Sequence, residues 1–184
     1  MITREQALQL LKNEGCPDKV IQHCIVVSEE AVRLAQKNIA AGRNVDIHWV
    51  EIGALLHDWG RSQTHGIDHA VIGSHLAKKY NLDPVLINII KKHIGAGILP
   101  DEAKAFGLPE DDYIPRTLEE KIVAHADNMV KGTKVISLKK RNKLLKKAGM
   151  DKEIRRRVKE LAQDVDPEDS DIDIDENDET DDEE

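Results

Sequence analysis

A histidine and an aspartate stand side by side at His57-Asp58. The residues before this pair are mostly apolar, and they predict a largely buried helix that begins after an N-cap at Asp46, reaches Trp59 and is ended by Gly60. Burying an imidazole and a carboxylate costs free energy unless partners compensate them. A metal ion is one such partner. The alternative, which this dipeptide alone favours, is a helix-end histidine bonded to a backbone carbonyl beside a capping aspartate.

Four more polar side chains interrupt the apolar faces of other predicted helices. A shared internal metal site would satisfy all of them together with the pair, whereas separate explanations are harder to find. For His23 alone, a satisfied core histidine is the commoner case, and spacing does not settle the choice. The four are His23 in a long helix after Pro17, His69 near the start of a helix over 68–80, His93 at the end of a helix opened by Pro84, and Asp127 in a helix led by Thr117.

The elements that must position these residues are all predicted to be helices. Apolar residues recur at helical spacing, and no stretch shows the alternation typical of a strand. Residues 98–115 contain three prolines and are predicted to form a long loop that overhangs a site. The predicted fold class is therefore all-α. The predicted helices cover 3–12, 17–41, 46–59, 68–80 and 83–93, a stretch from 117 onward, 137–147 and 151–164.

Charge divides the chain into a basic body and an acidic tail. Residues 164–184 contain 14 acidic residues and no Lys or Arg, which leaves 27 basic and 21 acidic residues in the rest. Residues 131–159 alone hold 13 basic and two acidic residues. We predict a core over 1–135, basic helices over 136–164 that pack on or extend this core, and a disordered acidic tail over 165–184.

Composition argues against a membrane or secreted protein. No apolar run approaches the roughly 18 residues that a membrane span needs, and the N-terminus lacks the apolar segment of a signal peptide. The expectation is a cytoplasmic protein without a membrane partner. Its oligomeric state does not follow from the sequence.

The order of His23, the His57-Asp58 pair and Asp127 resembles the signature of the HD superfamily of metal-dependent phosphohydrolases. The resemblance covers residues 20–130 and implies an HD-domain helical bundle in which these side chains bind a metal. The pair and the residues after it are similar to the HDIG variant of the family.

A second resemblance concerns members of this superfamily that bind two metals. Residues 68–73 are similar to their His-x-x-x-Gly helix, and His93 is similar to the histidine that follows it. The Gly-Tyr-Pro signature of cyclic-di-GMP phosphodiesterases is absent after His93, which argues against that substrate. The resemblance implies one or two divalent ions, drawn from Mn, Fe, Ni, Co and Mg. They would be held by His23, His57, Asp58, His69, His93 and Asp127.

The implied activity is hydrolysis of a phosphomonoester or phosphodiester in a nucleotide or nucleic-acid-derived substrate by metal-activated water. Asp58 would bridge two metals. Arg61 is a candidate to clamp a substrate phosphate, and its alternative is a solvated helix-end cation. His65 is a candidate substrate contact, or simply exposed. His125 precedes Asp127 by two residues, so it should point away from the same ligand set.

The basic residues 131–159 suggest a different class of function. They would suit a nucleic-acid-binding or regulatory protein, for instance one that contacts RNA, in which the HD core is catalytically weak. Against this alternative, the segment has no aromatic residue for base stacking. A third interpretation is that the acidic tail folds back over the basic surface and masks it.

Overall fold

The computed structural model describes residues 1–175, and residues 176–184 lie outside the described part. Helices dominate the described part, so the predicted all-α class is confirmed. A short antiparallel hairpin, β1 (Val130–Lys131) with β2 (Lys134–Val135), is too brief for an alternating pattern to reveal. The helices are α1 (Arg4–Asn13), α2 (Asp18–Ala40), α3 (Ile47–Leu56), α4 (His69–Lys79), α5 (Pro84–Lys92), α6 (Pro100–Ala105), α7 (Leu118–Asn128), α8 (Leu138–Lys147) and α9 (Lys152–Val165).

Side-chain caps begin the helices where the sequence predicts them. Thr3 and Thr117 each form a capping box at the start of α1 and α7. Asp46 accepts hydrogen bonds from two backbone N–H groups at the start of α3, and Ser137 and Asp151 each accept one at the starts of α8 and α9. A cap of this kind stabilises a helix by about 1 kcal/mol. These local signals explain why the predicted helix starts are confirmed.

One core cluster joins the apolar faces of α2, α3, α5 and α7, and a second cluster adds residues of α1 and α4. Leu34 of α2, Ile89 of α5 and Ile122 of α7 have no exposed surface and belong to one cluster. Full burial of one such side chain stabilises the fold by about 1.5–3 kcal/mol. This packing also fixes the positions of the polar side chains that the same four helices carry. Among residues 1–175, no helix has both the length and the apolar character needed to cross a membrane.

Gly60 has a different role from the predicted one. Helix α3 ends at Leu56, and a 3₁₀ turn over Trp59–Ser62 follows it. A Cβ on Gly60 would lie 1.9 Å from the backbone oxygen of His69 and 2.7 Å from the nitrogen of Gly73. Gly60 is therefore required for the close approach of the turn to α4 rather than to end a helix.

The segment predicted as a loop over 98–115 contains the short helix α6. Leu108 and Tyr113 of this segment pack with Val71 of α4 in a small apolar cluster. One terminal nitrogen of Arg157 in α9 donates to both carboxylate oxygens of Glu102 in α6, at 2.6 and 2.8 Å. The segment is thus attached to both α4 and α9. Its six-residue helix was too short for periodicity to show.

The basic C-terminal helices pack on the core, and part of the acidic segment follows them. Val165 at the end of α9 is buried among core residues, and the carboxylate of Asp166 contacts Lys37 and Arg33 of α2. Disorder was predicted from residue 165 onward, but Asp166 is only 2 % exposed. The burial follows from the two cations that its carboxylate reaches.

Further along the acidic segment, the chain runs back over α9. Lys159 donates to the backbone oxygen of Ile172 at 2.5 Å, and Arg155 donates to that of Ile174 at 2.7 Å. Residues 172–175 therefore lie on basic residues of α9. This is the placement expected if the acidic tail folds back over the basic surface. The remainder of the predicted tail, 176–184, lies outside the described residues.

Candidate metal centre

The structure brings together the six side chains that the sequence predicts as metal ligands. They come from five different parts of the chain, and each lies in or next to a helix end or a buried helix face. Any three that form a candidate metal-holding set have ligand atoms within 4.8 Å of one another. They are His23 in α2, His57 and Asp58 directly after α3, His69 at the first position of α4, His93 directly after α5, and Asp127 in α7.

Three of these residues, His23, His57 and Asp127, form what we call the outer group. His23 Nε2 lies 3.0 Å from Asp127 Oδ1, and His57 Nε2 lies 3.5 Å from the same oxygen. The side chains of His23 and Asp127 are 16 % and 26 % exposed, whereas that of His57 is fully buried. The outer group therefore has an accessible side.

Asp58, His69 and His93 form the inner group. Asp58 Oδ1 lies 3.1 Å from His69 Nε2 and 3.7 Å from His93 Nε2, while its Oδ2 lies 3.8 Å from His57 Nε2. All three side chains of the inner group are less than 9 % exposed. Asp58 thus faces the inner group with one oxygen and the outer group with the other.

Backbone carbonyls determine which nitrogen of each histidine faces the cluster. Because a carbonyl only accepts, each Nδ1 must carry the hydrogen, and the Nε2 of each neutral ring has its lone pair free for the cluster. This is the arrangement that metal-binding histidines usually show. The Nδ1 donors and their acceptors are His23 to Gly132 at 2.7 Å, His57 to Ala54 at 2.7 Å, His69 to Gly66 at 2.7 Å and His93 to Ile90 at 2.8 Å.

A cation fits the arrangement of the unpaired atoms. His57 Nε2 is buried and has no hydrogen-bond partner among the described residues. His69 Nε2 and His93 Nε2 lie 3.1 Å apart, so two lone pairs face each other when both rings carry their hydrogen on Nδ1. A metal ion bound by these nitrogens would satisfy all three.

The charge states also suit a metal. Burial by itself would raise the pKa of Asp58, but the imidazoles of His57, His69 and His93 beside its carboxylate lower it below its ordinary value. Burial likewise opposes ionisation of Asp127, and the imidazoles of His23 and His57 beside its carboxylate lower its pKa. Both carboxylates are therefore ionised at neutral pH, as metal ligands must be.

Arg61 lies against Asp58 rather than free at the surface. Its Nε donates to Asp58 Oδ2 at 2.8 Å, and one of its terminal nitrogens lies 3.3 Å from His69 Nε2. The Arg61 side chain is 28 % exposed, so one edge remains accessible beside the cluster. His65 is exposed, and its backbone oxygen lies 3.4 Å from a terminal nitrogen of Arg61.

His125 faces away from the cluster, as its position two residues before Asp127 predicts. It is 2 % exposed, and burial lowers its pKa to about 4, while the charges of Asp166 and Glu30 oppose this shift. It is absent from every candidate ligand set in the described part of the chain. Helix α7 thus carries the predicted ligand on one side and a neutral buried histidine on another.

Two residues at the centre were not found from the sequence. Gly132 holds His23 through its backbone oxygen, and Arg141 of α8 donates to backbone oxygens around Asp127. Arg141 stands in a run of basic residues, where no pattern separates it from solvated lysines. The glycine itself, at position 132, was the only signal in the sequence for a turn at this place.

Comparison with known proteins supports the resemblance noted in the sequence. Residues 20–131 match the model of the HD domain family, and the chain belongs to this family. It is 50 % identical over 134 residues to an uncharacterized protein of Methanocaldococcus jannaschii, a match that covers 73 % of this chain and 79 % of that protein. These matches place the HD signature residues within an established family.

Other relatives carry names connected with RNA. A tRNA (cytidine(56)-2'-O)-methyltransferase of Picrophilus torridus is 46 % identical over 135 residues, which cover 73 % of this chain but 38 % of that protein. Ribonuclease Y of Cutibacterium acnes is 38 % identical over 78 residues, 41 % of this chain and 14 % of that protein. The chain therefore matches less than half the length of either of these two relatives.

A solved structure shares the fold. The HD domain of the phosphodiesterase PgpH of L. monocytogenes superposes with a TM-score of 0.50 over 84 % of this chain and 94 % of that chain. Sequence identity between the two is 18 %, so the similarity concerns the helical arrangement. The predicted HD-domain bundle is confirmed by this match together with the family match.

Proposed function

We propose that this protein is a metal-dependent phosphohydrolase that cleaves a phosphate ester. The observation that carries the proposal is the convergence of four Nε2 lone pairs and two ionised carboxylates at one point of the bundle. Membership in the HD domain family supports it. Such a set of imidazoles and carboxylates is the donor chemistry of a divalent metal site.

The proposed ligands are the six residues of the outer and inner groups. Each oxygen of Asp58 faces one of the two groups, so the residue can contribute to one ion or bridge two. Four imidazoles favour Mn, Fe, Ni or Co over Mg, since Mg prefers oxygen donors. When bound, the metal supplies an activated water and a counter-charge for the phosphoryl oxygens.

The protein's own residues orient the ligands and the substrate. The backbone carbonyls hold each imidazole in the tautomer that binds a metal, and the Nε of Arg61 holds the orientation of Asp58. The accessible edge of Arg61 is proposed to contact a substrate phosphate, because a guanidinium matches phosphate geometry. The exposed side of His23 and Asp127 gives the substrate its access.

The proposed substrate is a nucleotide or a fragment of nucleic acid. A second candidate function is RNA binding or RNA-end processing, which the names of two relatives favour. In the structure, Lys131 and Lys134 are exposed on either side of the turn whose Gly132 holds His23. Basic side chains at the rim of the centre would suit a substrate with more than one phosphate.

The test is a substrate panel with metal-replete protein. Nucleoside phosphates, cyclic nucleotides, dinucleoside polyphosphates and short RNAs are supplied with Mn²⁺, Fe²⁺, Ni²⁺, Co²⁺ or Mg²⁺, and released phosphate or cleaved product is measured. We expect turnover that is lost in Asp58→Ala and retained in Asp101→Ala, which changes an exposed aspartate of α6. Absence of bound metal and of turnover with every substrate would refute the proposal. RNA binding that persists in Asp58→Ala without any turnover would favour the second candidate.

A further inference from the structure

The hydrogen bond that orients His23 differs in origin from those that orient the other three histidines. His57, His69 and His93 stand at helix ends, and each donates to a carbonyl three residues earlier. His23 lies within α2, where backbone carbonyls are engaged in the hydrogen bonds of the helix itself. Its acceptor is Gly132, 109 residues further along the chain. The orientation of His23 therefore depends on another element.

That element is the hairpin of β1 and β2. Gly132 lies in the turn of the hairpin with φ of +62°, a backbone conformation that is strained for any residue with a side chain. The turn directs the Gly132 oxygen to Nδ1 of His23 at 2.7 Å. Strands of two residues are too short to hold such a turn alone, because an isolated hairpin is marginally stable at best. The hairpin thus needs support from outside.

Arg141 of α8 supplies that support. Its Nε donates to the backbone oxygen of Asn128, and one terminal nitrogen donates to those of Val130 at 2.9 Å and Asp127 at 3.3 Å. The acceptors from α7 belong to the last turn of the helix, whose carbonyls have no partner within the helix. A cation is also favoured there by the helix dipole. The planar guanidinium joins the end of α7, which carries Asp127, to the first strand of the hairpin.

We propose that Arg141 and the hairpin over 130–135 form a brace that holds His23 and Asp127 in position as metal ligands. Arg141 is a positioning residue in this proposal, since it contacts neither the ligand atoms nor a substrate. The inference rests on the proposed metal site. Gly132 and Arg141 both lie beyond residues 20–131, the part that matches the HD domain family.

Binding of the metal alone tests the brace without any substrate. Full-length metal-free protein is titrated with Mn²⁺ by calorimetry for the wild type and for Arg141→Ala, Arg141→Lys and Gly132→Ala. Loss of a group that orients a ligand typically weakens metal binding about 10–100-fold, and we expect this range for Arg141→Ala and Gly132→Ala. Arg141→Lys should recover part of the loss, because it keeps the charge but not the planar set of donors.

Two matched variants control for general effects. Lys140→Ala removes a neighbouring charge of α8, and Gly149→Ala imposes the same kind of backbone strain, with φ of +78°, after the end of α8. An added Cβ meets no atom within 4 Å at either Gly132 or Gly149, so the two variants differ in location rather than in crowding. Both controls should bind Mn²⁺ like the wild type.

A second readout follows His23 directly. In nitrogen-resolved NMR spectra of the metal-free protein, Gly132→Ala should change the signal of His23 Nδ1 and leave those of His57 and His93 in place. Wild-type affinity in both brace variants would overturn the inference. If the wild type itself binds no Mn²⁺, Co²⁺ or Ni²⁺, the proposed function fails first, and an unchanged His23 signal in Gly132→Ala would then overturn the brace as well.

Discussion

The inner and outer groups of the centre are held in different ways. In the inner group, the Nδ1 atoms of His69 and His93 donate their orienting hydrogen bonds to carbonyls three residues away, and all side chains of the group are buried. In the outer group, His23 depends on Gly132, and both His23 and Asp127 are partly exposed. The histidines of the inner group are thus oriented by local chain geometry, whereas His23 of the outer group is oriented by an element distant in sequence.

This difference gives the inner group a fixed geometry and leaves the outer group accessible from solvent. A buried group oriented by its own helix ends is preorganised with little cost, which suits residues that must keep a fixed geometry. The partly exposed His23 and Asp127 are accessible at the mouth of the centre, but they lack the surrounding core that would hold their side chains. The long-range hydrogen bond to Gly132 compensates for that loss.

The largest effect is expected at Asp58, which serves both groups. Asp58→Asn preserves size but removes the charge, and it leaves the guanidinium of Arg61 without its carboxylate partner. We expect bound metal to fall for both groups, with a loss of affinity of at least about 100-fold. Metal content measured after dialysis against a fixed free metal concentration checks this. Retention of one full equivalent would show that the two groups are independent of Asp58.

A smaller and more selective effect is expected at Gly60. Gly60→Ala places a Cβ against the backbone of His69 and so separates the turn from α4. Overpacking of this kind destabilises by about 1–3 kcal/mol, and the inner group should lose metal before the outer group does. Urea unfolding and metal content measure the two effects. Ser62→Ala, in the same turn, is the control, and equal behaviour of the two variants would contradict the role given to Gly60.

The lysines beside the outer group provide a third test. Lys131→Ala with Lys134→Ala should weaken binding of a short RNA and lower the dependence of log affinity on log salt by about 1 for each lysine that contacts phosphate. The affinity of the variant for a mononucleotide should stay near that of the wild type, because a mononucleotide is too short to reach the lysines at the rim of the centre. Fluorescence titrations at several salt concentrations separate these cases. An unchanged salt dependence would exclude the rim as an RNA contact.

The smallest effect on the centre is expected from His125, on another side of α7. Its pKa of about 4 lies below the ordinary value of 6.5, so between these pH values the unfolded chain binds a proton that the folded chain does not. Stability is therefore retained above pH 6.5 and falls with decreasing pH towards 4, by up to about 1.4 kcal/mol per pH unit. Denaturant unfolding of the wild type and His125→Leu measures this. The variant should show a flatter pH dependence but wild-type Mn²⁺ affinity at neutral pH, and weakened Mn²⁺ binding would contradict the separation of the two sides.

Local physics explains what could be predicted from the sequence. Caps at residues such as Asp46 and Thr117 and the 3.6-residue repeat are short-range signals, so the helix starts and the all-α class follow from them. The six proposed ligands were identified because buried His and Asp on apolar helix faces are costly unless they are paired. The family resemblance then indicated that they belong to one site.

Only the tertiary structure decided how that site is held. It showed that Gly60 allows two backbones to approach, that Gly132 orients His23, and that Arg141 differs from the lysines around it. It also placed Asp166 on two cations of α2, where composition had predicted disorder. The contacts of Gly132 and Asp166 join residues more than 100 positions apart, and those of Gly60 and Arg141 join different elements. Helical periodicity and capping, in contrast, depend on residues within a few positions of one element. For that reason the residue types and helices could be read locally, but their convergence and the brace around it could not.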